Sequence, residues 1–591
     1  MVKSNLYFKF AASLVFTIAA FLFWFIGYRQ ALSYQEEFQL FLFDWDYFVE
    51  RMLYPGGFAV FLGEFLTQFF VSLPVGGFIV AALYLALQLL TWSLARKEGA
   101  TDSLYVFSFV PVVALWCYMG DENAMLGFVV GIIMTLGAVI GYVHLPDNYT
   151  RVVAVVLGLP VLFWLCSSAA YVAVVCIVVN ELRHSGLRDP LTSSALVVIY
   201  MVAIVVVAYH LSAYPLDRVA MGINFYRFRQ IVPYGQFIVM AIFALVPMLM
   251  GLDSVVRLAG KLKPMMVVAI SLVVVFVGAV DIRLGFDGLK YDIMEYDYLL
   301  RTHKWDDIIA RAEKKGPTEY QSPTVVSTVN LALAFKGQLA DRMFEFYQRG
   351  EFGLMPKFSR EMTTTVMASE IYFYLGMINT SQRFVFEAME SIPNNQKSGR
   401  IMRRLVETNI INGCYDVARR YINVLKKSYA YRRWAIEMET YLGNEEMINK
   451  HPIFGPMRAF RVGKDFFYSE NEADQMLGML FVHCNSNRMA LEYLLGCEIL
   501  KFDFTHFMQY YQLTSQLKNY TRIPRSYQET MVYVWSQNHP DLTGIPVKID
   551  GSVIQMYNQF RQYYSVNKNN PQLQNGPLAK TVWNYFLFER K

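Results

Sequence analysis

The chain reads as all-α in two parts: a polytopic transmembrane bundle of about nine helices over residues 1–284, followed by a soluble helical-repeat domain over residues 285–591. Three observations predict this. Of 591 residues 55% are hydrophobic and only 17% charged, too little charged surface for a soluble chain of this size. The apolar residues concentrate before residue 285, in runs close to the ~20 residues that a helix needs to cross a bilayer. Beyond that point the pattern changes to amphipathic helical stretches, with no sustained period-2 alternation except a brief one from Ile545 to Ile554.

Taken in order, the first apolar stretch runs from Leu6 to Tyr28, and no small-residue cleavage site precedes Arg29. It is read as an uncleaved anchor. Further spans are expected at 71–95, 104–119, 124–143, 152–166, 168–181, 194–212, 234–251 and 264–284. The pair around Ser167-Ser168 is either one long tilted helix or two short segments broken there. With nine crossings, Arg96-Lys97, Arg151, the 183–188 arginines and Arg257 to Lys263 share one side with Lys3, which the positive-inside rule assigns to the cytoplasm. The loops at 29–70, 120–123 and 213–233, with the whole C-terminal half, then fall on the opposite, external side. A single miscounted crossing would move the soluble domain inside.

In the C-terminal half, Asn330-Leu-Ala-Leu-Ala-Phe-Lys-Gly337-Gln-Leu-Ala340, Tyr374-Leu-Gly376 with Ala388, and Gly413-Cys-Tyr-Asp-Val-Ala418 recur at intervals near the mid-thirties to forty. Such spacing suits stacked helical hairpins, with a small residue allowing close packing before each turn. The units resemble degenerate tetratricopeptide repeats, which would present a concave surface to a protein or peptide.

Net charge is +5 without long runs of one sign, which sets nucleic acid aside. The six cysteines form no CxxC and no zinc spacing with histidine, and the eight histidines read as packing or surface residues.

Candidate chemistry lies in the external loops. The first carries Glu36-Glu37, Asp44-Trp-Asp46, Glu50 and Glu64 among Phe, Trp, Leu and Tyr. It is expected along the membrane interface, its aromatics among the headgroups and its carboxylates toward water or a cavity. On an extended segment Asp44 and Asp46 would share a face, and two such carboxylates can share a divalent cation or pair an acid with a base. Asp121-Glu122 fills the short second loop, where a tight turn alone would also favour acids. Arg218, Arg227 and Arg229, interleaved with Tyr226 and Phe228, suit a lipid phosphate or pyrophosphate.

This arrangement resembles the C-type glycosyltransferase superfamily, polytopic enzymes that use lipid-linked sugar donors. The resemblance implies Asp44 and Asp46 as catalytic acids of the first loop, Asp121 and Glu122 as holders of a divalent metal (Mg or Mn), and Arg218, Arg227 and Arg229 as contacts to a polyprenyl-phosphate-linked donor. It covers about residues 1–250, and no Trp-Trp-Asp signature of the oligosaccharyltransferases is present in the C-terminal half. The full chain is similar to an uncharacterised family of bacterial membrane proteins, through Gln39-Leu-Phe-Leu-Phe, Tyr54-Pro-Gly-Gly57, Glu64-Phe-Leu-Thr-Gln-Phe69 and Gln338-Leu-Ala-Asp-Arg-Met-Phe-Glu345. Two functions follow as expectations. One is glycosyl transfer from a lipid-linked donor at the external face of a bacterial inner membrane, with the C-terminal domain periplasmic. The alternative is a membrane-anchored, non-enzymatic scaffold for envelope proteins. A transporter fits less well, because few ionisable residues fall inside the spans.

Overall fold

A computed structural model describes residues 2–184, 190–222, 234–359, 361–392, 396–463, 469, 472–518, 520–567 and 573–589. Every regular element among them is a helix. The alternation at Ile545 to Ile554 forms no strand: helix Gly551–Val566 begins within it, and the residues before it are irregular.

The chain forms two compact units. The first takes Met1–Tyr291 together with two later segments, Ile392–Arg400 and Asn423–Ala435. Its helices are α1 (Val2–Leu22), α2 (Arg29–Glu37), α3 (Trp45–Met52), α4 (Gly57–Thr67), α5 (Leu73–Lys97), α6 (Val110–Tyr118), α7 (Leu126–Val143), α8 (Asn148–Cys166), α9 (Ala170–His184), α10 (Pro190–Leu211), α11 (Leu216–Met221), α12 (Gly235–Met250), α13 (Asp253–Gly260) and α14 (Pro264–Gly285). By length and composition six helices suffice to cross a membrane, or seven if α12 and α13, bent by 63° at their junction, count as one span.

That is fewer than the nine expected, for two reasons. Residues 102–118 fall short of a full α-helical span and open as a 3-10 helix, Asp102–Phe109. Residues 148–183 pass as one apolar run of 36 residues. That run is not straight, however. Arg151 and Glu181 approach to 3.9 Å, whereas thirty residues of continuous helix would separate them by about 45 Å. The chain folds back at Ser167, whose φ of +50° ends α8, so α8 and α9 lie antiparallel.

Packing inside the unit uses small residues and buried hydrogen bonds, as expected where lipid removes the hydrophobic drive between helices. At the α4/α7 crossing a Cβ on Gly63 would lie 2.3 Å from the Gly127 nitrogen, so the backbones touch. Gln88 on α5 accepts from Ser13 Oγ at 3.0 Å and donates to Ser108 Oγ at 2.8 Å, stitching three elements. Outward, α14 exposes Met265, Leu272, Phe276 and Leu284, an apolar face suited to lipid.

The second unit comprises Asp292–Ser391, Ile401–Ile422 and Ile436–Lys591. Helical hairpins run through it, such as Met362–Leu375 with Ile378–Ser391. The recurrent glycines lie at the hairpin turns and not at the close-packing positions predicted for them. Gly376 and Gly413 have φ of +89° and +76°, a left-handed C-terminal turn that other residues adopt at a cost. A Cβ on Gly413 would meet only Arg458 Nη2, at 3.7 Å, so conformation and not space demands glycine there. Ala388 and Ala418 are fully buried. Buried charge is paired: Arg404 bonds Glu370, holds Glu407 at 2.7 Å and stacks on Phe373 at 3.7 Å.

Candidate functional site

The 29–70 segment is packed into the protein. Most of α2 and the following Phe38 to Phe41 are buried, and backbone bonds tie the segment to the later pieces of the same unit: Leu40 N to Lys397 O at 2.9 Å and Phe43 N to Lys427 O at 2.7 Å. Buried carboxylates survive only when paired, and partners are present. Glu37 meets Arg400 at 2.8 Å, Glu36 accepts from Tyr431 Oη at 2.8 Å, and Glu64 meets Arg51 at 3.0 Å and Tyr47 Oη.

The predicted site residues separate accordingly. Asp44 has extended backbone at the N-cap of α3 and pairs with Lys427 at 2.6 Å. Helix begins at Trp45, so Asp46 sits in the first helical turn, exposed, and does not share an extended face with Asp44. Asp121 Oδ1 accepts from Asn123 N at 2.8 Å and Asn123 Nδ2 at 3.1 Å, the bonds of a turn, and Glu122 pairs with Lys290 at 2.5 Å. Among the described residues Asp121 and Glu122 belong to no group of three His, Cys, Asp or Glu with ligand atoms within 4.8 Å. Asp121 thus serves a turn through one carboxylate oxygen, and Glu122 meets an ammonium. Arg227 and Arg229 lie outside the described residues.

Arg218, on α11, lines a cleft of about 110 Å³. Four helix starts reach this cleft: Gly56 at α4, Met125 at α7, Ser167 and Ser168 in the 3-10 turn that leads into α9, and Gln236 in the first turn of α12. A helix start leaves amide N–H groups without intrahelical acceptors and carries roughly half a positive charge. Gly56, Met125, Cys166 and Tyr234, the residues in the cap positions of these four starts, make no side-chain capping bond. No Asp or Glu is among the described residues lining the cleft. Among the described residues the lining thus holds one guanidinium and several hydroxyls, with the ends of α6, α8 and α11 beside the four starts.

Two left-handed glycines shape it. Gly56 (φ +85°) passes so close that a Cβ would sit 2.7 Å from Ser167 Cβ, and on Gly222 (φ +72°) a Cβ would sit 2.5 Å from Ser168 Oγ. Ser167 is 5% exposed and its Oγ has no hydrogen-bond partner, a donor available to a ligand. Burial pushes the phenols of Tyr54 and Tyr214 upward, against the nearby Arg51, so both stay protonated as further donors in the lining. Behind the wall, Arg51 donates to Gln396, itself a lining residue, at 3.3 Å. Such a set of hydroxyls and a guanidinium suits a tetrahedral oxyanion.

Of this site, the sequence pointed to Arg218 alone among binding residues. Ser167 stood out as a helix break and Tyr54-Pro-Gly-Gly57 as a motif, while Tyr214 and Gln236 carried no signal. A protein-family model described as "Family of unknown function (DUF6057)" matches residues 4–589. No curated protein and no solved structure matches the chain.

Proposed function

Since the chain belongs to the family of unknown function DUF6057, we propose its activity from the site: a membrane glycosyltransferase that holds the phosphate of a polyprenyl-linked sugar donor in the cleft. The observation that carries this reading is the meeting of Arg218 with the unbonded hydroxyl of Ser167 around one cleft whose described lining holds no carboxylate. An acceptor hydroxyl attacks the anomeric carbon and the bond from that carbon to the phosphate oxygen breaks. The phosphate leaves with the electron pair, its charge resting on Arg218 and the hydroxyl of Ser167. The acceptor proton passes to a carboxylate of the first loop, Asp46 being the exposed one and Asp44 the one paired with Lys427.

This reading takes the chain through the bilayer nine times. Antiparallel α8 and α9 supply two, and residues 102–118, eight 3-10 and nine α-helical, rise about 30 Å, near the thickness of the hydrocarbon core. Nine passes with a cytoplasmic N-terminus put the cleft and the second unit outside, in the periplasm of a bacterial inner membrane. There the hairpins of the second unit, as tetratricopeptide-like repeats, would present a protein or peptide acceptor. Those same hairpins favour the scaffold alternative.

One comparison separates the two. Cells carrying Arg218→Gln at normal protein level are compared with a deletion strain for envelope glycoconjugates. Transfer predicts that the variant matches the deletion; an unchanged glycan profile, where the deletion changes it, sinks the enzyme reading and leaves the scaffold.

A further inference from the structure

A second polar cluster lies in the second unit, where helix Arg488–Lys501 turns into helix Phe504–Tyr511. Glu498 ends the first helix, Asp503 is the N-cap of the second, and His506 stands in its first turn. The left-handed Phe502 (φ +62°) folds the chain so that these three residues meet. One ligand atom from each lies within 4.8 Å of the others. Asp503 Oδ2 and His506 Nδ1 are 2.6 Å apart, while Asp503 Oδ1 accepts from the His506 amide at 3.0 Å, which fixes the carboxylate.

A capping aspartate explains Asp503 but not Glu498. That residue is 1% exposed, and its Oε1 has no hydrogen-bond partner. The nearest cation, Lys501, stands 3.8 Å from Oε1 and is held more closely by Glu351, at 3.0 Å. A carboxylate oxygen buried and unbonded beside an imidazole and a second carboxylate is costly unless a cation can join them.

We propose that Glu498, Asp503 and His506 bind a divalent metal ion of the zinc class. One imidazole nitrogen with two carboxylate oxygens is a donor set that zinc accepts readily, whereas magnesium and calcium favour oxygen alone. The ion replaces the proton shared between Asp503 and His506, and the imidazole proton is carried on Nε2. Half-exposed Asp503 and exposed His506 give the entry path and the freedom to adjust to ligand spacing. Asp474, which accepts from Tyr510 Oη at 2.9 Å, adds a further negative charge to the surroundings. Three protein ligands leave a fourth position to water.

Full-length protein in detergent, stripped with a chelator, is titrated with zinc by calorimetry and with cobalt while the visible d–d absorption is followed. The wild type should bind about one equivalent, and His506→Gln and Glu498→Gln should each weaken binding at least about tenfold and abolish the cobalt spectrum. Arg218→Gln should bind zinc as wild type does. His506 is exposed, so His506→Gln should unfold at the wild-type temperature and decides the matter even if Glu498→Gln fails to fold. A wild type that takes up no stoichiometric zinc, or a His506→Gln protein that binds it equally well, overturns the proposal.

Discussion

The membrane unit pairs charge at both ends, and the ends differ in what lies between the pairs. At one end each of four basic residues meets a carboxylate: Lys9 and Arg96 at Asp102 (2.6 and 3.4 Å), Arg183 at Glu98 (2.9 Å) and Arg151 at Glu181 (3.9 Å). At the other end, where α7 begins, Arg218 and the starts and ends of several helices line a cleft with no carboxylate among the described residues. The two are separated by the length of α7, whose first residues line the cleft and whose Tyr142, near the far end, bonds Glu181 at 2.6 Å. The first end closes its electrostatics within the protein. The second pairs Arg51 with Glu64, Arg400 with Glu37 and Lys427 with Asp44, and encloses a cleft as well.

Perturbing each end in turn tests this contrast. The largest effect is expected from Arg183→Ala, which leaves Glu98 buried without its guanidinium and should cost about 3–5 kcal/mol of stability. Thermal unfolding in detergent measures that loss, and protein that stays folded should keep its affinity for polyprenyl phosphate. Next, Arg218→Gln should reduce transfer about a hundredfold or more while leaving the unfolding temperature within about 2 °C. Loss of stability without loss of turnover would reverse the roles assigned to the two ends. Ser167→Ala removes a hydroxyl with no partner in the protein, so about tenfold in donor affinity should be lost at unchanged stability. A destabilised Ser167→Ala protein would show that the hydroxyl serves the fold. The smallest effect belongs to Lys9→Met: the partly exposed pair with Asp102 should contribute under about 1 kcal/mol and weaken with salt.

Legibility in the sequence followed the range of the interaction. Helix type and approximate bounds were readable because apolar runs and 3.6-residue periodicity are local. The break at Ser167-Ser168 showed for the same reason, as two polar residues inside an apolar stretch. Arg218 was readable as a guanidinium against the charge trend. Lys427 as the partner of Asp44 and Arg400 as that of Glu37 were not, since these pairs join residues 383 and 363 positions apart. The cleft escaped notice because its lining comes from segments far apart in the chain, from Gln39 to Gln396. The recurrent glycines were visible, but composition does not tell a packing glycine from a turn glycine; only φ does. The histidine at 506 looked ordinary because its companions lie three and eight residues before it, a spacing that no common metal motif uses.

The two late segments at Ile392–Arg400 and Asn423–Ala435 set a timetable for the membrane unit. Arg400, Lys427 and Tyr431, the partners of Glu37, Asp44 and Glu36, emerge from the ribosome after all the apolar spans have been made. Residue 435 follows residue 291 by 144 positions, which at synthesis rates of ~5–20 residues per second is a delay of roughly 7–30 s. During that interval the acidic first loop must wait in water or with a temporary companion. Cutting the gene after residue 291 would make that wait permanent, so the membrane half is not a product that a truncation can deliver.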